Sequence, residues 1–473
     1  MTDIDFLTQV EAAIAASDTA WRVGVVQHDG RQGSWHAQPP PIADRRWIQA
    51  EPSGAVVPDR GWKLHVSATP WSAPDVLSRV LPLLIERRAA FKIAASPAVV
   101  TSLNEGEGGL TQIGKFVTVY PATEAAAIEL ASALHLATDG LRGPAVPSDQ
   151  PLRRGSLVHY RFGAFDPAVD EAAAPLEPIE GKTVAINDDT SDRPDSDPFL
   201  AAGVAERPTE GLIADRYLVT STIYDSPRGA VHVASDLERL LPCILKRAPR
   251  DARVLPDGSD ARDQLRHEAR VLMEISDPRV PAVYELIDHD DDLLLSMELI
   301  EGEKLSRFVA RYVGAGRPLP TTTILRWAKE VAEFVGRLHS SNLVYRDVSS
   351  ANVMVTPALG LRFIDFELAN PVGRGETYYP AGTPGYCSPG QAAGRAAAFT
   401  DDLYGIGALL YFLVLREEPP ETTDLAEHLD RPDLPQEVAE IIRRCVTTGG
   451  DRYPSVDELA KALVRWGDAL IDV

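Results

Sequence analysis

Between Leu343 and Glu367 the chain reads L-V-Y-R-D-V-S-S-A-N-V-M-V and then L-R-F-I-D-F-E, two short apolar runs with polar residues set around them. Asp347 and Asn352 share one loop, and Asp365 ends the next apolar run. Two carboxylates and an amide so placed suit phosphoryl transfer, which needs one carboxylate to orient a hydroxyl and hard oxygen ligands for a divalent cation. A hairpin with a polar turn would explain any one of these residues but not all three at this spacing.

At 473 residues the chain exceeds what one hydrophobic core usually holds, so two or three domains are expected. Its 47 basic against 69 acidic residues give a net charge of −22, which argues against nucleic-acid or anionic-membrane partners. Any cationic site must therefore be built locally. Only eight lysines occur, and four of them fall in the motifs below. Cys243, Cys387 and Cys445 form no C-x-x-C pair, which fits a reducing compartment and predicts no zinc. The N-terminus does not read as a signal peptide and no apolar run is long enough for a bilayer, so a cytoplasmic location is expected.

Phe6, Val10, Ala13 and Ile14 recur at helical spacing, whereas Trp35 to Pro58 shows no period and reads as an irregular lead-in. From Gly61 the run G-W-K-L-H-V-S-A alternates, which puts Lys63, His65 and Ser67 on one strand face and Leu64 and Val66 on the other. Ser72 opens a helix with Val76, Leu77, Val80, Leu81 and Leu84 on its apolar side. A-F-K-I-A is a short strand carrying Lys92, and a glycine-rich loop leads into I-G-K-F-V-T-V-Y with Lys115. Thr123 opens a further helix that Asp139-Gly140 ends. R-R-G-S-L-V-H-Y-R-F-G is a strand bracketed by Arg153, Arg154 and Arg161. An α+β domain over residues 1–165 is predicted.

Residues 166–212 turn acidic and proline-rich, as in N-D-D-T-S-D-R-P-D-S-D-P, and read as a linker that Val184, Ile186, Phe199 and Leu200 could anchor. A second domain is predicted over 213–473, with a small lobe of strands and one helix at 213–297 and a mainly helical lobe at 298–473.

Y-R-D-x-x-x-x-N followed by D-F-E resembles the catalytic loop and metal-binding turn of eukaryotic-type protein kinases. The resemblance implies a bilobal kinase fold in which Asp347 is the base and Asn352 and Asp365 hold Mg²⁺. C-I-L-K resembles the strand motif of the phosphate-gripping lysine, here Lys246, and H-E-A-R-V-L the helix whose carboxylate, Glu268, holds it. I-Y-D-S-P-R-G-A-V aligns with the glycine loop over the phosphates, but Tyr224 and Ser226 replace two glycines and only Gly229 remains. Met297 and Glu298 resemble the gatekeeper and hinge that bind a purine edge through backbone groups, which leaves ATP and GTP both open. Ser349 replaces a basic residue usual in serine/threonine kinases, Glu367 replaces the glycine after Asp-Phe, and Gly390 stands where a glutamate normally pairs with an arginine near Arg452. These departures argue against a fast regulated signalling kinase, while the retained Lys246, Glu268, Asp347, Asn352 and Asp365 imply activity.

Lys63, His65, Lys92, Lys115 and Arg161 are cations on strands of one small domain in an acidic chain. Burying them together without an anion would be costly, and phosphate suits both lysine point charges and arginine forks. On this pattern alone a set of satisfied surface strands stays open. The segments around them, G-W-K-L-H-V-S-A, F-K-I-A, I-G-K-F-V-T-V-Y-P and S-L-V-H-Y-R-F-G-A-F, resemble the lyase domain of class III and class IV lanthipeptide synthetases, itself similar to bacterial effector phosphothreonine lyases. The resemblance implies that Lys92 is the base of a β-elimination and His65 the acid, with Lys63, Lys115, Arg161 and Arg153 binding phosphate and Arg154 in ambiguous register.

Lyase then kinase is the order in that family, and it covers nearly the whole chain. The implied activity is NTP-dependent phosphorylation of Ser or Thr in a ribosomally made precursor peptide, then loss of phosphate to dehydroalanine or dehydrobutyrine. Family members normally add a cyclase domain with a Cys/Cys/His zinc site. This sequence stops after R-W-G-D-A-L-I-D-V, so a cyclase-lacking form is expected, as associated with lipolanthine-type, avionin-containing peptides. Ring closure would then fall to a separate cyclising or decarboxylating enzyme or a reactive thiol. Two alternatives remain at this point: a signalling kinase whose N-terminal domain only binds phosphopeptides, and a scaffold with a degraded nucleotide site.

Overall fold

The computed structural model describes residues 5–27, 41–55, 58–107, 109–165, 196–206, 211–314, 316, 319–375, 382–421 and 424–469. It divides into two compact units, one of Met1–Asp263 with Ile287–Leu295, the other of Gln264–Leu286 with Ser296–Val473. Most of the proposed linker lies outside the described residues.

The first unit holds α1 (Phe6–Ala15), β1 (Trp21–Gln27), β2 (Arg45–Pro52), β3 (Arg60–Val66), α2 (Ala73–Glu86), β4 (Ala90–Ala94), α3 (Pro97–Asn104), β5 (Val117–Tyr120), α4 (Glu124–Thr138), β6 (Gln150–Pro151) and β7 (Val158–Ala164). Its strands form a seven-stranded sheet in the order β1-β2-β4-β5-β3-β7-β6, with every neighbouring pair antiparallel. Leu64 and Val66 of β3 share one buried core with Leu77, Val80 and Leu84 of α2 and Leu130 and Leu134 of α4. Helices thus cover the apolar face of the sheet, as the alternation from Gly61 requires. Thr123 caps α4, its hydroxyl accepting from the Ala126 amide at 3.2 Å.

Trp35 to Pro58 is not wholly irregular, because β2 runs through it. Arg45, Trp47, Ile48, Ala50 and Pro52 are all buried, and β2 lies inside the sheet between β1 and β4. A strand covered on both faces loses the polar and apolar alternation that would mark it. Arg45 tolerates burial because Asp5, which also caps α1, accepts its guanidinium at 2.9 Å.

Within the stretch read as a linker, α5 (Pro198–Ala201) packs against this sheet. Phe199 is fully buried, stacked on Tyr160 at 4.1 Å and edge-on to Trp62 at 5.3 Å, and burial of such a ring contributes about 2–3 kcal/mol. The Tyr160 hydroxyl donates to Asp197 at 2.8 Å, so the cap of α5 is also its tether.

The same unit contains β8 (Tyr217–Ser226), β9 (Gly229–Asp236) and β10 (Leu241–Pro249), which begin a five-stranded sheet that residues 287–295 extend. Asp251, just after β10, is buried and accepts from Arg142 Nε at 2.7 Å and the Gly143 amide at 2.9 Å. The second unit is mainly helical. Its principal elements are α6 (Ala261–Glu274), α7 (Leu305–Gly314), α8 (Thr321–Ser340), α9 (Pro389–Ala392), α10 (Phe399–Leu415), α11 (Gln436–Val446) and α12 (Val456–Ala469), with α8 packed on α10 and α12. Among the described residues no helix is long and apolar enough to cross a membrane.

Candidate active sites

Strand register assembles the N-terminal site. Gln49, Lys92, Thr118, His65 and His159 are successive cross-strand partners on β2, β4, β5, β3 and β7. Partners along such a rung point to one face of the sheet, so Lys92 and His65 stand two strands apart, roughly 10 Å between Cα atoms. Lys63 pairs with Arg161 two residues further along, and the two-residue period puts both on that same face. Lys63, His65, Lys115, Thr118 and His159 are all buried. Lys92 Nζ lies 4.6 Å from the Trp47 ring centroid, within cation–π range. Lys115 is not on a strand: it sits in the turn before β5, where Gly114 takes a positive φ of 77° and any side chain there would strike the Ala145 carbonyl.

Asp149 holds these cations together, and the sequence reading did not single it out. Its carboxylate is fully buried. One oxygen contacts His65 Nδ1; the other accepts from Ser148 Oγ at 2.7 Å and lies 3.5 Å from Lys115 Nζ and 3.9 Å from Arg161 Nε. Burial alone would raise the Asp149 pKa, but its contact with His65 and the charges of Lys115 and Arg161 outweigh it and hold the carboxyl well below its usual range. For His65 burial dominates: despite Asp149, and with Lys115 and Arg161 adding repulsion, its pKa falls to about 3. At neutral pH the imidazole is therefore uncharged, with the Nδ1 hydrogen directed at Asp149 and Nε2 left as an acceptor. His159 is likewise lowered, chiefly by burial, and accepts the Val146 amide at Nε2 at 3.2 Å.

Arg153 does not join the cluster. Its guanidinium donates to the carbonyls of Val204 at 3.0 Å and Gly203 at 3.4 Å, fixing the segment after α5. Arg154 is paired with Asp290. Both arginines precede β7 at a turn, where strand alternation does not govern direction.

In the second unit, the loop predicted to orient a hydroxyl is held by buried polar contacts. Asp402, with no exposed surface, accepts from the Tyr345 amide at 2.9 Å, the Arg346 amide at 2.6 Å and His339 Nε2 at 2.8 Å. That triple acceptance fixes the backbone ahead of Asp347, where Arg346 takes a φ of 68°. Asn352 Nδ2 donates to Asp347 Oδ2 at 2.6 Å, while Thr383 donates its hydroxyl at 2.8 Å and its amide at 3.0 Å to Asp347 Oδ1. Burial raises the Asp347 pKa, opposed by the Thr383 hydrogen bonds and reinforced by Asp365. Tyr345 donates to the Ile364 carbonyl at 2.6 Å and Ile364 to that of Asn352 at 2.9 Å, which brings Asp365 alongside. Asp365 has a φ of 66°, and the Phe366 amide beside it donates to Glu268 at 3.2 Å.

Asn352 presents its nitrogen to Asp347, which turns its oxygen the other way. That oxygen and the Asp365 carboxylate are hard donors of the kind Mg²⁺ takes. Met297 is buried; the Glu298 amide donates to the Ala282 carbonyl at 2.8 Å and its carboxylate pairs with Arg362 at 2.8 Å. Lys246 lies on β10 opposite Val231, in the first unit. Gly229, also there, has a local reason to be glycine: φ is 155° and an added Cβ would sit 2.8 Å from the Arg247 carbonyl.

An aspartate tied to an asparagine five residues on, with a buried aspartate bracing the loop, defines the second site as that of a protein kinase. The comparison of families agrees: residues 246–466 match the protein kinase domain and residues 31–192 the RamC N-terminal domain. The chain carries a RamC N-terminal domain followed by a protein kinase domain, and in this it matches a class III lanthipeptide synthetase. It is 30% identical over 393 residues to the probable SapB synthase of Streptomyces coelicolor, covering 78% of this chain and 41% of that protein. It is 31% identical over 223 residues to the serine/threonine-protein kinase PkaA of the same organism, covering 44% of this chain and 40% of the relative. The probable kinase PknB of Corynebacterium glutamicum is 26% identical over 281 residues, 54% of this chain and 42% of its own length. The chain thus spans about two fifths of the length of these relatives.

Proposed function

We propose that the chain dehydrates a precursor peptide in two steps, phosphorylating Ser or Thr in the kinase domain and eliminating the phosphate in the N-terminal domain. The observation that carries this reading is the single sheet face on which Lys92, His65, Lys63 and Arg161 lie, joined by Lys115 around Asp149. A domain that only bound phosphopeptides would need the cations but not a lysine and a histidine set two strands apart. Because the proposed substrate is ribosomally made, the reading places both steps in the bacterial cytoplasm.

For phosphorylation, Asp347 orients the peptide hydroxyl toward the terminal phosphate of ATP or GTP, and Lys246 with Glu268 would grip the nucleotide phosphates. Asn352 and Asp365 would hold Mg²⁺, which offsets charge on the phosphates when bound. Gly229, Met297 and Glu298 keep their assignment to the nucleotide site through backbone groups.

For elimination, Lys92 takes the proton from Cα, the electron pair forms the Cα–Cβ double bond, and the Cβ–O bond breaks with phosphate leaving. As the base, Lys92 acts in its deprotonated form. Lys63, Lys115 and Arg161 stabilise charge that grows on the departing group. His65 is neutral in the free site, so it can serve as the acid only once a phosphate anion beside Nε2 raises its proton affinity. Protonation of the acid is thereby coupled to substrate binding, and Asp149 keeps the ring oriented throughout.

The test is the product of Lys92→Ala and His65→Ala chains given nucleotide, Mg²⁺ and a serine-containing precursor. Mass spectrometry should show phosphorylated peptide in place of dehydrated peptide. Dehydration at the wild-type level in either variant would remove the lyase assignment.

A further inference from the structure

Thr118 occupies the middle of the rung, the direct cross-strand partner of Lys92 on one side and of His65 on the other. Its side chain is only 2% exposed, and among the described residues its Oγ1 has no hydrogen-bond partner. The histidines on that rung are both hydrogen-bonded, His65 to Asp149 and His159 to Val146. An orphaned hydroxyl in a core is destabilising, and valine, the residue at 117 and 119, would fill the same volume without it. The hydroxyl therefore calls for an acceptor that arrives with a ligand. The charges nearby say which kind: Lys63, Lys115 and Arg161 share its face or adjoin it, so the acceptor is an anion.

We propose that Thr118 donates its hydroxyl hydrogen to a non-bridging phosphate oxygen of the bound phosphopeptide, fixing the ester between Lys92 and His65. Thr118 is thus a phosphate-binding residue of the N-terminal site, an assignment that rests on the elimination reading above. A dianionic phosphate has only acceptor positions, so the hydroxyl acts as donor, and hydrogen bonds to charged oxygens are the stronger kind.

The experiment uses the full chain in a Lys92→Ala background, where elimination should be stopped and binding of a synthetic phosphoserine peptide can be followed by calorimetry, with the unphosphorylated peptide as blank. Adding Thr118→Val should raise the dissociation constant roughly ten- to a hundredfold, the loss expected for one hydrogen bond to a charged group. Thr118→Ser should return it close to the parent value. Melting of Thr118→Val without phosphate should occur at or above the parent temperature, because an unsatisfied buried hydroxyl has been removed. An unchanged dissociation constant in Thr118→Val, a loss that serine does not restore, or a lower melting temperature without phosphate would each overturn the assignment. Elimination persisting in the Lys92→Ala background would instead bring down the functional reading on which it rests.

Discussion

Asp149→Asn removes a fully buried carboxylate from the cation cluster while keeping its shape. At an effective dielectric near 20, a charge 3.5 Å from Lys115 and 3.9 Å from Arg161 is attracted by roughly 4–5 kcal/mol to each. Burial of the carboxylate cancels most of that attraction, but taking one partner from a buried ion cluster still costs about 3–5 kcal/mol, because the remaining charges lose part of their compensation. For a unit of this size the melting temperature should fall on the order of 10 °C. Asparagine can also offer its NH₂ to His65 Nδ1 and so reverse the tautomer, and elimination from a synthetic phosphoserine peptide should slow by at least ~10²-fold, the lower end of what a positioned acid or base contributes. Affinity for phosphate should hold or rise, since the site gains net positive charge. The assay is mass spectrometry of elimination well below the variant's melting temperature, with peptide phosphorylation by the same chain as the internal control. A variant that melts lower yet eliminates at the wild-type rate would show that Asp149 only stabilises the fold; unchanged melting would refute the charge argument itself.

Asp347→Asn should abolish phosphorylation of the unmodified peptide yet leave elimination from a synthetic phosphopeptide intact, and loss of both in a folded protein would contradict the division of labour. His65 and His159 are held neutral by burial, with folded pKa values below the 6.5 of the unfolded chain. Below pH 6.5 the unfolded chain binds more protons, so the stabilisation present above that pH drains away toward about pH 3 for His65. Melting of the first unit, read from tryptophan fluorescence, should therefore drop on acidification from neutral to mildly acidic buffer; a flat profile would count against buried neutral histidines. Gly390, Arg395 and Arg452 line a cavity of about 380 Å³, and a Cβ on Gly390 would meet nothing nearer than 3.4 Å. Gly390→Glu should occupy part of it beside Arg395 and stabilise the kinase domain by roughly 0.5–2 kcal/mol in denaturant titration, as cavity filling commonly does; destabilisation would show that repulsion from the neighbouring Asp401 carboxylate wins.

The kinase site was legible because its parts lie close along the chain. Asp347, Asn352 and Asp365 fall within one short stretch, and spacing alone decides which backbone turns can bring them together. Alternation from Gly61 likewise determined that Lys63 and His65 share a face, since a strand repeats every two residues whatever packs on it. Only the tertiary structure decided which strands are neighbours. The order β4-β5-β3-β7 and its register put Lys92, Thr118 and His65 on one rung, and neither order nor register is written in any local period. Asp149 enters from a loop 84 residues after His65, and nothing in P-S-D-Q-P announces that its carboxylate will be buried among cations. Arg153 went the other way, drawn by the carbonyls of a segment within the stretch read as a linker, and β2 escaped notice because both its faces are covered. Local sequence sets which way a side chain points along its own strand or loop; which charges finally meet is fixed by long-range packing, because the cost of burying them is settled only once every neighbour is in place.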